Sequence, residues 1–291
     1  MDWCLDARLA PARRADPALD FCLWPYDPPR LPGRDSWQGA ALLYHSFATA
    51  GLSHRMLEIC DALIAANGPF NTVWGLKHAG GRLSWEFYFY DYTRLERRFD
   101  TRALARALEG LVTITAPLSG DDRPYFMFSI EIGADQLAGA PVDQLDLYLG
   151  NPGSTVSSGI CYGLSPRGWE MRNFYFFFNA LTEAPQIRQK LAETAHAGQP
   201  LPDLSPWLWR GITPQTLVVA NKRAADGVYF SRIPADQTLT CLERLGYPEA
   251  ITGFFRSNRA RFDHLLFDIG YDWQAGPQGI TWTKGSVYGL L

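Results

Sequence analysis

Charge of one sign is what this sequence most lacks. Its 27 Lys and Arg stand against 30 Asp and Glu, a net charge of -3, so it carries no electrostatic footprint for nucleic acid or an anionic membrane. Cysteine is scarce too. Cys4, Cys22, Cys60, Cys161 and Cys241 are odd in number and have no paired short spacings, which excludes a disulfide framework or zinc cluster and fits a reducing, cytoplasmic compartment. No apolar run approaches a membrane span, and residues 1–31 carry charges and prolines where a signal peptide needs an apolar stretch. There is no G-x-S-x-G elbow, Walker loop, Rossmann glycine fingerprint or H-E-x-x-H. The five histidines are scattered and read as surface or packed residues.

What the sequence has in quantity is rings: 10 Trp, 13 Tyr and 17 Phe in 291 residues, more than packing alone asks for, so an aromatic-lined pocket is expected. The most informative stretch runs from Gly81 to Tyr92. On a strand, alternate side chains point to opposite faces. Leu83, Trp85, Phe87 and Phe89 then share one face, and Ser84, Glu86, Tyr88, Tyr90 and Tyr92 the other. A greasy face opposite a carboxylate among phenols implies a sheet buried on both sides, with helices outside and a cavity within.

Residues 1–35 are rich in Pro and Arg and read as an irregular arm; residues 36–291 read as one domain. Ser36 is expected to cap a first helix to about residue 50, and Ser53 to cap a second. Hairpins are expected at 70–78 with 83–92, 111–117 with 123–132, 156–164 with 169–178, 217–222 with 228–233, and 262–272 with 279–290. Helical sequence lies between them, including 142–149, where Leu145 and Leu149 are four apart. The fold class is therefore α+β: a ten-stranded antiparallel β-barrel surrounded by helices, in repeated αββα units, closed so that no edge is left exposed. An open sheet with helices on one face is the alternative.

Four short stretches then carry a resemblance. Gly81-Arg82-Leu83-Ser84-Trp85-Glu86 resembles a G-R-x-S-x-E opening of a second strand, and Arg123-Pro124-Tyr125 a basic-x-Tyr opening of a fourth. Asn173-Phe174-Tyr175-Phe176 resembles N-x-Y-F, and Lys284-Gly285-Ser286-Val287-Tyr288 resembles K-x-x-x-Y. In that order, on those hairpins, they are similar to the aromatic prenyltransferases of the αββα barrel (ABBA) type. The resemblance covers nearly the whole chain beyond residue 36.

Facing supports it. Arg123, Tyr125, Met127 and Ser129 would share one strand face, Asn173, Tyr175 and Phe177 another, and Trp282, Lys284, Ser286 and Tyr288 a third. Cations are costly to bury without a partner, so several around one cavity imply an anionic ligand such as a diphosphate. The resemblance implies that Arg123, Lys284, Tyr175 and Tyr288 bind an allylic diphosphate, with Lys77, Lys222 and Arg232 as further candidates. Tyr88, Tyr90, Tyr125, Asn173, Phe177 and Trp282 would shield a carbocation and hold the acceptor, and Glu86 would act as the base. The acceptor is an indole or phenol, in a small molecule or in Trp or Tyr of a peptide, and the chain is expected to act as a monomer without nucleic-acid or membrane partners.

Some magnesium-dependent members carry Asp two residues after that Glu, where this chain has Tyr88. No D-D-x-x-D or N-D-x-x-D run is present, and Asp121-Asp122 reads as a turn. No metal or other cofactor is therefore expected beyond the diphosphate co-substrate. A non-catalytic barrel for a hydrophobic ligand, and a cofactor-free isomerase or cyclase using Glu86, remain open alternatives.

Overall fold

In the computed structural model the described residues are 11–118, 123–153, 156–196, 208–276 and 279–291. Ten antiparallel strands close into a barrel: β1 (Thr72–Ala79), β2 (Arg82–Tyr90), β3 (Tyr125–Ile132), β4 (Leu145–Gly150), β5 (Ser157–Ser165), β6 (Gly168–Asn179), β7 (Thr216–Lys222), β8 (Asp226–Pro234), β9 (Leu266–Gly276) and β10 (Gly279–Leu290). Each strand pairs with its sequence neighbours, and the circle closes where β1 meets β10, with Val73 opposite Leu290. Gly80 and Gly81, both at positive φ, make the tight turn of the first hairpin.

Seven helices are found among the described residues: α1 (Ala40–Thr49), α2 (Ser53–Asn67), α3 (Thr101–Ala107), α4 (Ala134–Leu137), α5 (Ala184–Ala192), α6 (Ala235–Arg244) and α7 (Glu249–Phe262). All but α4, which buries no residue, turn buried side chains inward. Leu42, Leu43 and Phe47 of α1, Met56, Cys60 and Leu63 of α2, and Ile251 and Phe255 of α7 join Trp74, Trp85, Phe87 and Phe267 of the strands in one core. The Trp85 indole N–H donates to the Ser46 hydroxyl at 2.8 Å, tying α1 to β2 where neither side chain meets water. Asp100 caps α3 by accepting from the Ala103 N–H at 2.7 Å.

Three expectations are corrected. Residues 142–149 do not form a helix; β4 runs from Leu145 to Gly150. A spacing of four is common to both periods, and Leu147 between Leu145 and Leu149 makes the repeat two. Residues 111–117 are not a strand but turns on the outer core, with a single bridge from Ile114 to Val142. The barrel still has ten strands because β4 takes the place that stretch was to fill. Neither serine stands at the cap of its helix: α2 begins at Ser53 itself, with Leu52 before it, and α1 begins at Ala40, while the Ser36 hydroxyl accepts from the Gly33 N–H at 2.9 Å and closes a turn.

Of the arm, the described part holds only isolated bridges, Pro11 with Trp37 and Leu19 with Pro25. The turn expected at Asp121-Asp122 lies outside the described residues, as does Cys4; the other four cysteines are buried. Among the described residues no helix is long and apolar enough to cross a membrane.

Replacing Ser46 with Ala strands the buried Trp85 N–H and is expected to cost about 1–3 kcal/mol in denaturant unfolding. An unchanged midpoint would mean that the indole has found another acceptor.

Candidate functional site

One layer of the lumen follows a rule repeated five times. The second strand of each hairpin turns a tyrosine inward: Tyr88 on β2, Tyr148 on β4, Tyr175 on β6, Tyr229 on β8 and Tyr288 on β10. Directly opposite each, on the next strand, is a small residue: Ser129, Cys161, Ala220, Gly270 and Gly75 respectively. Alternating large and small residues is how a barrel interior is filled without overlap. The rings meet in tilted or T-shaped contacts around a closed circuit, with centroid separations of 6.5 Å (Tyr88 to Tyr148), 6.0 Å (Tyr148 to Tyr175), 6.1 Å (Tyr175 to Tyr229), 6.3 Å (Tyr229 to Tyr288) and 5.9 Å (Tyr288 to Tyr88). Burial raises the pKa of all five phenols, so they stay protonated.

On one side of the ring the lumen opens into a charged vestibule of about 420 Å³. Here Asp272 accepts from both Lys222, at 2.6 Å, and Lys284, at 3.0 Å. Burial works against its ionisation, but the two ammoniums outweigh that and hold the carboxyl down at about 2. Lys222 also donates to the Tyr229 hydroxyl at 3.0 Å.

Across the vestibule Lys77 lies between Glu86 and Glu131, the latter at 2.7 Å, and Asp146 pairs with Arg172 at 3.2 Å. Burial pulls the Lys77 pKa down, and the two glutamates push it further up, so it stays an ammonium. Burial and the Glu86 charge raise the carboxyl of Asp146. The vestibule is thus polarised: two cations share one carboxylate on the β7–β9–β10 side, while three carboxylates face two cations on the other.

Glu86 sits on the rim between vestibule and ring. It accepts from the Tyr88 hydroxyl at 2.7 Å, from the Ser129 hydroxyl and from Lys77, and it is 4 % exposed. Asn173 donates to the Tyr175 hydroxyl at 3.0 Å. On the far side of the ring is an apolar chamber of about 70 Å³, whose lining includes Tyr90 and Phe177.

The lumen therefore brings together Glu86, Lys77, Lys222, Lys284, Tyr88, Tyr90, Asn173, Phe177, Tyr175 and Tyr288. Four candidates are not there. The register slips between Tyr125 and Met127, which turns Tyr125 outward under the Arg97 guanidinium, 3.6 Å from its ring centre. Arg123, just before β3, is exposed over Trp169, 5.1 Å away, and lines neither cavity. A second slip, between Trp282 and Lys284, sends Trp282 outward against Tyr271, at 5.0 Å, and Trp209, at 5.6 Å. Arg232 lies in a third irregularity, between Phe230 and Ile233, at φ 62°. It is paired with Asp20 of the arm, Nε at 2.9 Å, and is no part of a cation ring.

Sequence reasoning missed Tyr148, Tyr229, Glu131, Asp146, Arg172 and Asp272. Tyr148 was hidden by the helical reading of its strand. Tyr229 and Asp272 had a signal in the alternations Gly227-x-Tyr229 and Gly270-x-Asp272, small and polar residues on one strand face.

At the chamber's far end Asp268 is buried beside Asp20, Arg232 and Cys22. It accepts from the Phe21 N–H at 2.8 Å and the Arg232 N–H at 3.0 Å. Burial, then the Asp20 charge, push its pKa up to about 7. The native state thus holds this proton more tightly than the unfolded chain does. Acid favours the fold between about pH 4 and 7, and the advantage is lost as the pH rises through 7. Unfolding free energy is expected to fall by roughly 2 kcal/mol from pH 5 to pH 8, and Asp268→Asn to flatten that slope. A slope unaltered by the substitution would place the titration elsewhere. Gly270→Ala drives a methyl into the Tyr229 ring and is expected to cost about 1–3 kcal/mol in denaturant unfolding; an unaffected stability would show that the ring layer has slack.

No protein-family model matches the chain, and no curated protein is significantly similar to it.

Proposed function

We propose that this chain is an aromatic prenyltransferase, moving an allylic isoprenoid such as dimethylallyl from its diphosphate to an electron-rich indole or phenol. The observation that carries the reading is the closed tyrosine ring, with two ammoniums sharing one carboxylate on its rim and Glu86 across from them.

The diphosphate would sit against Lys222 and Lys284, whose charge Asp272 only half balances. These cations stabilise the leaving group as the allylic C–O bond breaks and its electron pair departs with pyrophosphate. The allylic cation forms inside the tyrosine ring, where each face is worth roughly 2 kcal/mol once water is excluded. The acceptor's ring carbon then bonds to the cation, and Glu86 takes the N–H or O–H proton. Tautomerisation returns the ring-carbon proton to the heteroatom, so one proton is released overall with pyrophosphate. Lys77 holds Glu86 in place and does not belong to the diphosphate site. Protein ammoniums stand where a metal would neutralise phosphate charge, so the reaction is metal-independent in this proposal.

The finer architecture, repeated αββα units, is supported by helices before β1, between β2 and β3, between β6 and β7 and between β8 and β9. Between β4 and β5 the described residues contain no helix. A carrier of neutral apolar molecules would have no use for Lys222 and Lys284 at the mouth of its cavity.

Calorimetry with the thiolodiphosphate analogue of dimethylallyl diphosphate, in EDTA, tests the site. Binding is expected without metal, weakened about tenfold or more by Lys222→Met or by Lys284→Met. Glu86→Gln is expected to keep that binding and to lower turnover with an indole acceptor by about 10²-fold or more. Absence of binding by both the analogue and pyrophosphate, or binding only with magnesium, would end the proposal.

A further inference from the structure

The far wall of the apolar chamber is not made by the barrel. Its sides are strand residues, among them Val73, Met127, Phe177 and Val218, but its end is formed by Phe21 and Cys22 of the N-terminal arm. The Phe21 ring lies on the tyrosine layer, 5.7 Å from the Tyr288 ring centre. We infer that Phe21 is the residue that limits the length of the apolar chain the lumen accepts. The inference rests on the transferase reading for the identity of that chain, an allylic isoprenoid.

The position of Phe21 is fixed from both sides. Its N–H donates to Asp268 at 2.8 Å, and its carbonyl accepts from the Tyr90 hydroxyl. The Tyr92 hydroxyl donates to the next carbonyl, that of Cys22. One residue earlier, Asp20 binds Arg232 through Nε at 2.9 Å and Nη2 at 2.8 Å. The same Asp20 folds the arm back on itself by accepting from the N–H groups of Cys22, at 2.9 Å, and Trp24, at 3.0 Å. Leu23 and Arg232 both adopt positive φ, 58° and 62°, to make this junction, a conformation held only where surrounding contacts enforce it. The arm is thus anchored at the point where it meets the lumen.

Size gives the wall its consequence. A dry cavity of about 150 Å³ takes up a benzene molecule, and the chamber beyond the ring offers about 70 Å³. That accommodates the tail of a short branched chain and leaves no room for a ten-carbon one. Because this wall belongs to the arm, removing the Phe21 ring enlarges the chamber without taking a side chain from any strand.

Five- and ten-carbon allylic alcohols and their diphosphates, titrated by calorimetry into the wild type, Phe21→Ala and Phe21→Leu, test this. The wild type is expected to bind the five-carbon members about tenfold or more tighter than the ten-carbon ones. Phe21→Ala is expected to erase or reverse that preference, and Phe21→Leu, the milder change, to fall between. A wild type that takes both lengths equally, or a preference that survives both substitutions, overturns the inference. If the alcohols show the switch but neither diphosphate binds better than its alcohol, the wall stands and the transferase reading fails. If the diphosphates bind well and no switch appears, the reading stands and Phe21 is not the limit.

Discussion

Everything in this lumen depends on a steric bargain between neighbouring strands. Each inward tyrosine is opposed by a residue with little or no side chain, and two of these, Gly75 and Gly270, have none. Without those gaps the rings would have to stand up along the strands and fill the axis. With them, five rings meet in a circuit that lines both the vestibule and the chamber. The arrangement needs ten strands: a narrower barrel would be filled by its own side chains.

The charged layer is set by the same alternation. Two residues beyond Gly75, Ala220 and Gly270 come Lys77, Lys222 and Asp272, and two residues before Tyr88 and Tyr148 come Glu86 and Asp146. Because these positions point into one space, their charges must balance there. Five cations, Lys77, Lys222, Lys284, Arg172 and Arg223, meet five carboxylates, Glu86, Glu131, Asp146, Glu170 and Asp272. Deleting Glu86 or Asp272 leaves a largely buried ammonium, Lys77 or Lys222, without that partner, which is the costly case for ion pairs. The vestibule therefore behaves as one electrostatic unit, positive on one side and negative on the other.

Alternation was readable wherever a strand kept its register. The split of β2 into Leu83, Trp85, Phe87 and Phe89 against Glu86, Tyr88 and Tyr90 follows from period two alone, as do the inward Asn173, Tyr175 and Phe177 of β6. Tyr125 and Trp282 were misplaced because an extra residue in the strand reverses every side chain beyond it. Arg123 was assigned a face although it precedes its strand, where facing has no meaning. Leu145 and Leu149 fit both helix and strand, and choosing the helix concealed Tyr148 and Asp146. The role of the arm could not be read at all. Asp20 and Arg232 are separated by 212 positions, and only the closed barrel brings them together.

The seam between β1 and β10 joins residues more than two hundred positions apart, Val73 with Leu290. During synthesis β1 therefore leaves the ribosome with one edge paired to β2 and the other bare, and it waits for the last hairpin to arrive. Through that interval a growing sheet carries two open borders and an uncovered aromatic concave face, the geometry that invites strand exchange between nascent copies. Topological closure, which protects the finished molecule from edge-to-edge association, thus concentrates the hazard of its biogenesis into the time before the circle is complete.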